Sequence, residues 1–385
     1  MFFRKWWAEL FTPQLRILFI DDSVPDQTLG AGAPRAAQIL RSLSESGAAV
    51  TLFPVSKASS SRRGPYDVKC EHGGSAQSLS DFLKQQHAEF DVIIISRPHN
   101  MAFFNEACAD WLDIQRSKFI VYDAEAIFAS REALHRQIRG NPLLKEQADE
   151  AVRQELDLAR AANLILAVGD HEARRFREAG YTNVCVLGYA VSPSFTNTPF
   201  GRRANFLFVG PTDDQDTPNS DSMVWFADHV LPQLRAVLGE EVVLSLVGKS
   251  ESQDVIKRKA RGIDFRGQLL DLNEIYENAR VFVAPTRFAA GVPLKVYGAA
   301  AHGVPCVVTS LLARQLGWSH ECEVLIADTP QAFAEQCLRV YRDEALWERI
   351  RTTAFERVSH DCDVQSFDRV IENIQVLAKA RRSRA

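Results

Sequence analysis

The sequence predicts an α/β protein of two doubly wound parallel-sheet domains that face each other across a cleft. Three observations predict it. Short continuous apolar runs alternate with helical patterns, as strands buried on both faces require. The alternation pauses at a Pro/Thr/Gly stretch, 192–203, and then resumes with the same layout. The chain also has 385 residues, more than one hydrophobic core usually holds.

The first domain is expected over 15–197, behind an extension at 1–14. Its strand candidates are 16–21, 50–55, 91–96, 119–124, 164–169 and 184–190. The clearest helix between them is 34–46, closed by Gly47. A long charged helical pattern runs from about 131 to 161 and is interrupted near Gly140-Asn141-Pro142. The segment 56–74 is rich in Ser, Gly, Lys and Arg and reads as a mobile loop.

The second domain is expected over 204–358. Its strand candidates are 205–210, 242–248, 263–267, 279–285, 306–310 and 323–328, with helices at about 220–238, 252–260 and 271–278. The end of the chain reads as helices at 330–341, 344–358 and 364–379, and the closing segment 359–385 ends in a basic tail. One stretch organises the domain: APTRFAAGVPLKVYGAAAHGVPCVVTS, 284–310. A buried strand leads into a loop carrying Arg287, Gly291 and Lys295, then a helix of small residues, then a second buried strand. The loop lies at the carboxyl end of its strand, where open α/β sheets bind ligands. A helix amino terminus and two cations converge there, which suits a phosphate or diphosphate.

Composition excludes several classes. Hydrophobic residues make up 46%, so the chain can bury sizeable cores and is not globally disordered. The net charge is −4 and no basic stripe suggests nucleic acid. The seven Cys show no CxxC pair and no metal-ligand spacing, which reads as reduced thiols in the cytoplasm. No apolar run approaches the ~18 residues of a membrane span. The start, MFFRKWWAELF, is not read as a signal peptide, because charges interrupt it and no cleavage site follows. Two readings stay open there. Phe2, Phe3, Trp6 and Trp7 beside Arg4 and Lys5 suit a peripheral contact with the inner face of a membrane, or they form an aromatic flap on the protein's own surface.

A set of features in a fixed order carries a family resemblance. It comprises a strand ending Phe208-Val209-Gly210, a polar loop with Pro218-Asn219, and Trp225-Phe226 with Leu231-Pro232. After these come Leu246-Val247-Gly248, a Phe265-Arg266-Gly267 turn, the 279–310 stretch and Ala327-Asp328-Thr329-Pro330. Over roughly 206–346 the chain resembles the nucleotide-sugar half of GT-B glycosyltransferases, in particular the family-4 group of retaining enzymes (glycosyl transferases group 1). The first domain is similar more loosely, through 16–55, Arg97-Pro98 and YDAEAIFASRE.

The resemblance implies two Rossmann-like domains, with the last helix, 364–379, crossing back. It implies a glycosyltransferase that moves a sugar from a nucleotide-diphosphate donor to a glycan or lipid-linked acceptor. Bacterial surface polysaccharide or lipopolysaccharide synthesis is the expected setting, with retention of configuration. The nucleotide-sugar is a substrate; no cofactor and no metal ion are expected. Arg287 and Lys295 match the loop that neutralises the departing diphosphate. Gly291 and Val292 lie in the same loop, and Gly210, Asn219 and Tyr297 are the other donor-side candidates; the alternative for Tyr297 is a core position. One departure stands out. The family often carries two glutamates seven residues apart here, the second on the nucleotide ribose. This chain has Ala290 and Gly298 in their places. That leaves a rival reading: a catalytically degenerate GT-B domain that binds a glycan or a partner.

In the first domain, Gly30, Gly32 and Arg35 follow the first strand and can meet the donor phosphates or the acceptor, or they form a plain strand-to-helix turn. Asp123 and Glu125 end a strand facing the expected cleft, as acceptor-binding or general-base carboxylates; Asp123 could instead cap a helix toward Ala126. His99 follows the 91–96 strand and is the candidate for the acceptor-side histidine that family-4 enzymes often place at such a strand end, or a plain exposed loop residue.

Overall fold

The structure is a computed structural model that describes residues 14–25, 33–56, 64–108, 114 and 117–382. The extension with Phe2, Phe3, Trp6 and Trp7, and the loop with Gly30 and Gly32, lie outside the described residues. Two parallel sheets form the frame. The first has seven strands in the order β3-β2-β1-β4-β5-β6-β7, and the second six in the order β10-β9-β8-β11-β12-β13. In the first, β1 is Arg16–Asp21, β2 Ala49–Pro54, β3 Lys69–Cys70, β4 Val92–Ser96, β5 Phe119–Asp123, β6 Leu164–Ala167 and β7 Val184–Val186. In the second, β8 is Ala204–Val209, β9 Leu244–Val247, β10 Ile263–Gly267, β11 Ala279–Ala284, β12 Cys306–Val308 and β13 Leu325–Ile326.

The apolar runs dictate this arrangement. VIII in β4 and ARVFVA in β11 are buried at every position. Such strands need helices on both faces, and each sheet separates two apolar clusters. In each sheet the strand order reverses beside the first strand of its domain. The switch falls between β1 and β4 in one sheet and between β8 and β11 in the other. At such points the connections leave in opposite directions and open a crevice at the strands' carboxyl ends. Those two crevices fix where function can sit.

Several expected elements change. The helical pattern at 131–161 resolves into helices Phe128–Ile138 and Lys145–Asp157 with a 3-10 turn at Leu158–Ala161. The expected 220–238 helix contains a π turn at Phe226–Val230, between Pro218–Trp225 and Leu231–Leu238. Pro232, which has no N–H to donate, is the second residue after that turn. The expected helix at 252–260 shrinks to Gln253–Ile256 and a 3-10 turn at Lys259–Arg261. Helices Ala76–Gln86, Pro98–Ala107, Asp170–Glu178 and Ser310–Leu316 were not anticipated.

The chain's end ties the domains together. The 18-residue helix Glu344–Asp361 packs on the second domain. The next helix, Val364–Arg382, returns to the first, where Phe367, Ile371, Ile374 and Ala378 join its core. Asp368 accepts a 2.7 Å hydrogen bond from Ser42 of helix Ala33–Glu45. The Pro/Thr/Gly stretch is docked as well: the Ser194 N–H donates to Ala301 (2.8 Å) and the Thr196 hydroxyl to the His302 carbonyl (2.8 Å).

Candidate functional site

At the second switch point three residues form one unit. Gly210 follows β8 with a φ of +155°, and a Cβ there would stand 2.8 Å from the Asn219 amide nitrogen. Glycine therefore lets Asn219 come close. Asn219 sits in the first turn of helix Pro218–Trp225, whose N-cap is Thr217. Its amide donates to the Pro211 carbonyl at 2.8 Å, and its carbonyl oxygen accepts from the Lys295 ammonium. The ammonium also lies 4.6 Å from the centre of the Phe208 ring. Desolvation pulls Lys295 down to about 7. Asn219 and the ring supply a carbonyl and a π face but no opposite charge, so the site is poised for an incoming anion.

Arg287, just beyond β11, differs. Its guanidinium forms a two-pronged ion pair with Asp221 at 3.0 and 2.5 Å and keeps a third of its side-chain surface exposed. The expected lone cation is thus a paired one. Asp221 lies in the first turn of helix Pro218–Trp225, and its partner could be read only from the fold.

The absent glutamates have structural counterparts. A Cβ at Gly298 would stand 3.0 Å from the Tyr276 hydroxyl. Tyr276 is buried and stacks on His302 at 4.3 Å, so its ring fills the space a longer side chain at 298 would need. Tyr297, a donor-side candidate, is a core residue instead: it is buried and packs on Trp318 at 5.6 Å.

At the first switch point acidic groups gather around Arg97. Its guanidinium lies 2.7 Å from Asp21, 3.4 Å from Asp22 and 3.3 Å from Glu125. Arg97 and Glu125 have positive φ, 80° and 54°, a conformation that non-glycine residues adopt rarely and mostly at functional sites. Burial pushes Glu125 up to about 7 despite Arg97, and burial also raises Asp21. For Asp22 burial pulls upward too, but the His99 hydrogen bond and the Arg97 charge outweigh it and hold the carboxylate low. His99 Nε2 stands 2.5 Å from Asp22, and Asn100 donates to the same oxygen at 2.9 Å. The His99 ring keeps about 40% of its side-chain surface exposed. His99 and Glu125 therefore share one rim, bridged by Arg97 and Asp22, two residues the sequence reading did not place in the site.

Two candidates are corrected. Asp123 is fully buried, bound by Arg35 at 2.7 Å and Ser96 at 3.0 Å. Arg35 is 1% exposed and also donates to the Leu187 carbonyl at 2.8 Å. The pair ties helix Ala33–Glu45 to β5 and the end of β7, and neither side chain reaches the cleft. Asp123 does not cap the next helix either. That helix begins at Phe128, and Glu155 accepts from the Phe128 and Ala129 N–H groups at 2.7 and 2.6 Å.

The two rims meet. Gly291 has a φ of +76°, and a Cβ there would lie 3.2 Å from Ala126 and 3.4 Å from the Glu125 carbonyl. Val292 closes on Gly169 from the second domain. His135 stacks on Phe288 at 4.4 Å, and Arg139 pairs with Asp216 across the same boundary. Among the described residues no group of three His, Cys, Asp or Glu side chains could hold a metal ion.

Residues 203–343, the second domain, match the glycosyl transferases group 1 family. No curated protein sequence matches the chain. Among solved structures, sucrose-phosphate synthase from Thermosynechococcus elongatus superposes with a TM-score of 0.70 at 14% identity, covering 95% of this chain and 100% of that one. Anabaena HepE, solved with UDP-glucose, gives 0.67 at 17% identity, covering 94% and 100%. The UDP-forming α,α-trehalose-phosphate synthase from Burkholderia xenovorans, solved with glucose-6-phosphate, gives 0.66 at 12%, covering 94% and 99%. The second domain thus matches the glycosyl transferases group 1 family, and the chain as a whole has the two-domain GT-B fold of these solved structures.

Proposed function

We propose that the chain transfers a sugar from a nucleotide-diphosphate donor, with the diphosphate held between Lys295, Arg287 and the backbone of the loop around Gly291. The observation that carries this reading is the Gly210–Asn219–Lys295 unit, which holds a desolvated ammonium without a counter-charge at the switch point of the family-matched domain. HepE has been solved with UDP-glucose, which favours a UDP-sugar as the first donor to try.

In this reading Lys295 and Arg287 stabilise the charge that grows on the diphosphate as the sugar–oxygen bond breaks. Asp221 holds Arg287 toward the crevice, and the incoming phosphate competes with it for the guanidinium. The acceptor hydroxyl attacks from the same face, with retention of configuration, beside His99 and Glu125. The Asp22–His99 pair and the near-neutral Glu125 are positioned to take or orient its proton. The acceptor is a glycan or a lipid-linked glycan of a bacterial surface polysaccharide. Its lipid-linked form rests on the aromatic and basic residues at 2–7.

The test is calorimetry of the full chain with UDP, GDP, CDP, ADP and dTDP, wild type beside Lys295→Ala, followed by sugar transfer with the tightest base. One nucleotide should bind in the micromolar range and lose about a hundredfold in affinity in the variant. No binding at millimolar concentration would sink the reading. The second reading, a glycan- or partner-binding domain without catalysis, is favoured by Ala290 and Gly298; nucleotide binding without any turnover of the sugar donor would select it.

A further inference from the structure

The first domain puts a carboxylate where the second has lost one. Glu172 lies in the first turn of helix Asp170–Glu178, beyond the carboxyl end of β6. It is 3% exposed. Across the domain boundary it neighbours the loop of the second domain: a Cβ at Gly169 would meet both its carboxylate and Val292. Gly291 directly follows Ala290, one of the two positions where the family's glutamates are absent. Its Oε2 is buried and, among the described residues, has no hydrogen-bond partner.

The surroundings are built for this approach. A Cβ at Gly169 would stand 2.8 Å from Val292 and 3.5 Å from Glu172 Oε2, so only glycine lets the helix start come this near the loop. Gln315 approaches from helix Ser310–Leu316 and donates to the Ala289 carbonyl at 3.1 Å, while its own buried amide oxygen is likewise unpartnered. Two unsatisfied acceptors thus flank 289–292. A buried acceptor without a donor is costly, so most such atoms find a partner. Sugar hydroxyls are donors of the right kind. Arg175, one turn along the same helix, lowers the Glu172 pKa through its charge, but among the described residues Glu172 makes no ion pair within 4 Å.

We infer that Glu172 is the donor-sugar contact of this chain: it reaches from the first domain to the Ala290–Gly291 loop and accepts a hydroxyl of the transferred sugar through Oε2. The inference rests on the donor site proposed above. Sugar specificity then depends on domain closure, because the contact exists only when the two rims meet. A nucleotide without its sugar never touches Glu172.

The experiment compares a nucleoside diphosphate with its sugar conjugate on full-length protein by calorimetry: UDP with UDP-glucose, ADP with ADP-glucose, GDP with GDP-mannose, for wild type, Glu172→Ala and Glu172→Gln. In Glu172→Ala the sugar conjugate should lose about tenfold or more in affinity, while the bare nucleotide stays within about twofold. Retained nucleotide binding also certifies the fold. Glu172→Gln, which keeps an acceptor oxygen, should recover part of the loss. Equal loss for both ligands would assign Glu172 to the domain joint, and no loss would remove it from the site; either outcome overturns the inference. Wild type binding none of these ligands would remove the donor reading itself, and the inference with it.

Discussion

At the switch point of the first sheet, Asp21, Asp22 and Glu125 crowd around Arg97. At that of the second, Lys295 rests on an amide oxygen and Arg287 on a single carboxylate. The two sheets share one plan and open on the same side, so topology alone would give them the same role. The difference lies in what satisfies each charge. The acidic rim is a closed network in which each carboxylate meets Arg97 or His99. Among the described residues, the basic rim leaves the Lys295 ammonium without a counter-ion. A pre-paired network rigidifies a surface for neutral hydroxyls, whereas an uncompensated cation awaits an anionic ligand.

Breaking the acidic network should have the largest effect. Arg97→Ala leaves Asp21 and Glu125 buried without a partner, and we expect a loss of about 3 kcal/mol in urea unfolding. A loss under about 1 kcal/mol would mean that the network is not what holds this rim.

Lys295 sharpens the contrast through pH. It lies at about 7 in the free protein, below its ordinary 10.5, so above neutrality it is uncharged and a donor must bring a proton with it. Affinity for UDP-glucose should fall by up to about tenfold per pH unit above 7. Lys295→Arg stays charged and should flatten the profile. A flat wild-type profile would show that the ammonium does not meet the diphosphate.

Glu125 gives a smaller effect of defined sign. Burial raises its pKa to about 7 from 4.5, so the folded state holds the proton more tightly than the unfolded state does. This carboxyl therefore withdraws stability as pH rises from about 4.5 through 7. Glu125→Gln should be nearly neutral at pH 5 and stabilising by on the order of 1 kcal/mol at pH 8. The measurement is urea unfolding at the two pH values.

The smallest change should follow Arg139→Ala. Its pair with Asp216 spans the domains, but both side chains are more than half exposed, and we expect under about 1 kcal/mol, vanishing in high salt. A larger, salt-resistant loss in thermal unfolding would move interdomain cohesion from the Gly291 loop to this pair.

Much of the frame was legible in the chain. Runs such as VIII and ARVFVA have one stable fate, a strand covered on both faces, and Gly210, Gly291 and Lys295 announce a crevice at strand ends. Arg35 and Asp123 misled because a charged residue at a strand end looks the same from the sequence whether it faces a cleft or a neighbouring helix. Their pairing spans 88 positions. Arg97 was visible but not its role, since its meaning comes from Asp21 at the end of β1 and Glu125 just past β5. Tyr297 sat at the right spacing, on the wrong side of its helix.

By itself, then, the sequence determined the strands of the two sheets other than β3, which lies in the stretch 56–74 read as a loop, and the cations of the second domain, because hydrophobic period and turn chemistry act over a few residues. Only the tertiary structure decided which charges are spent on one another: Arg287 on Asp221 and Arg35 on Asp123. Electrostatic partners are chosen by distance in space, and chain separation carries almost no information about it.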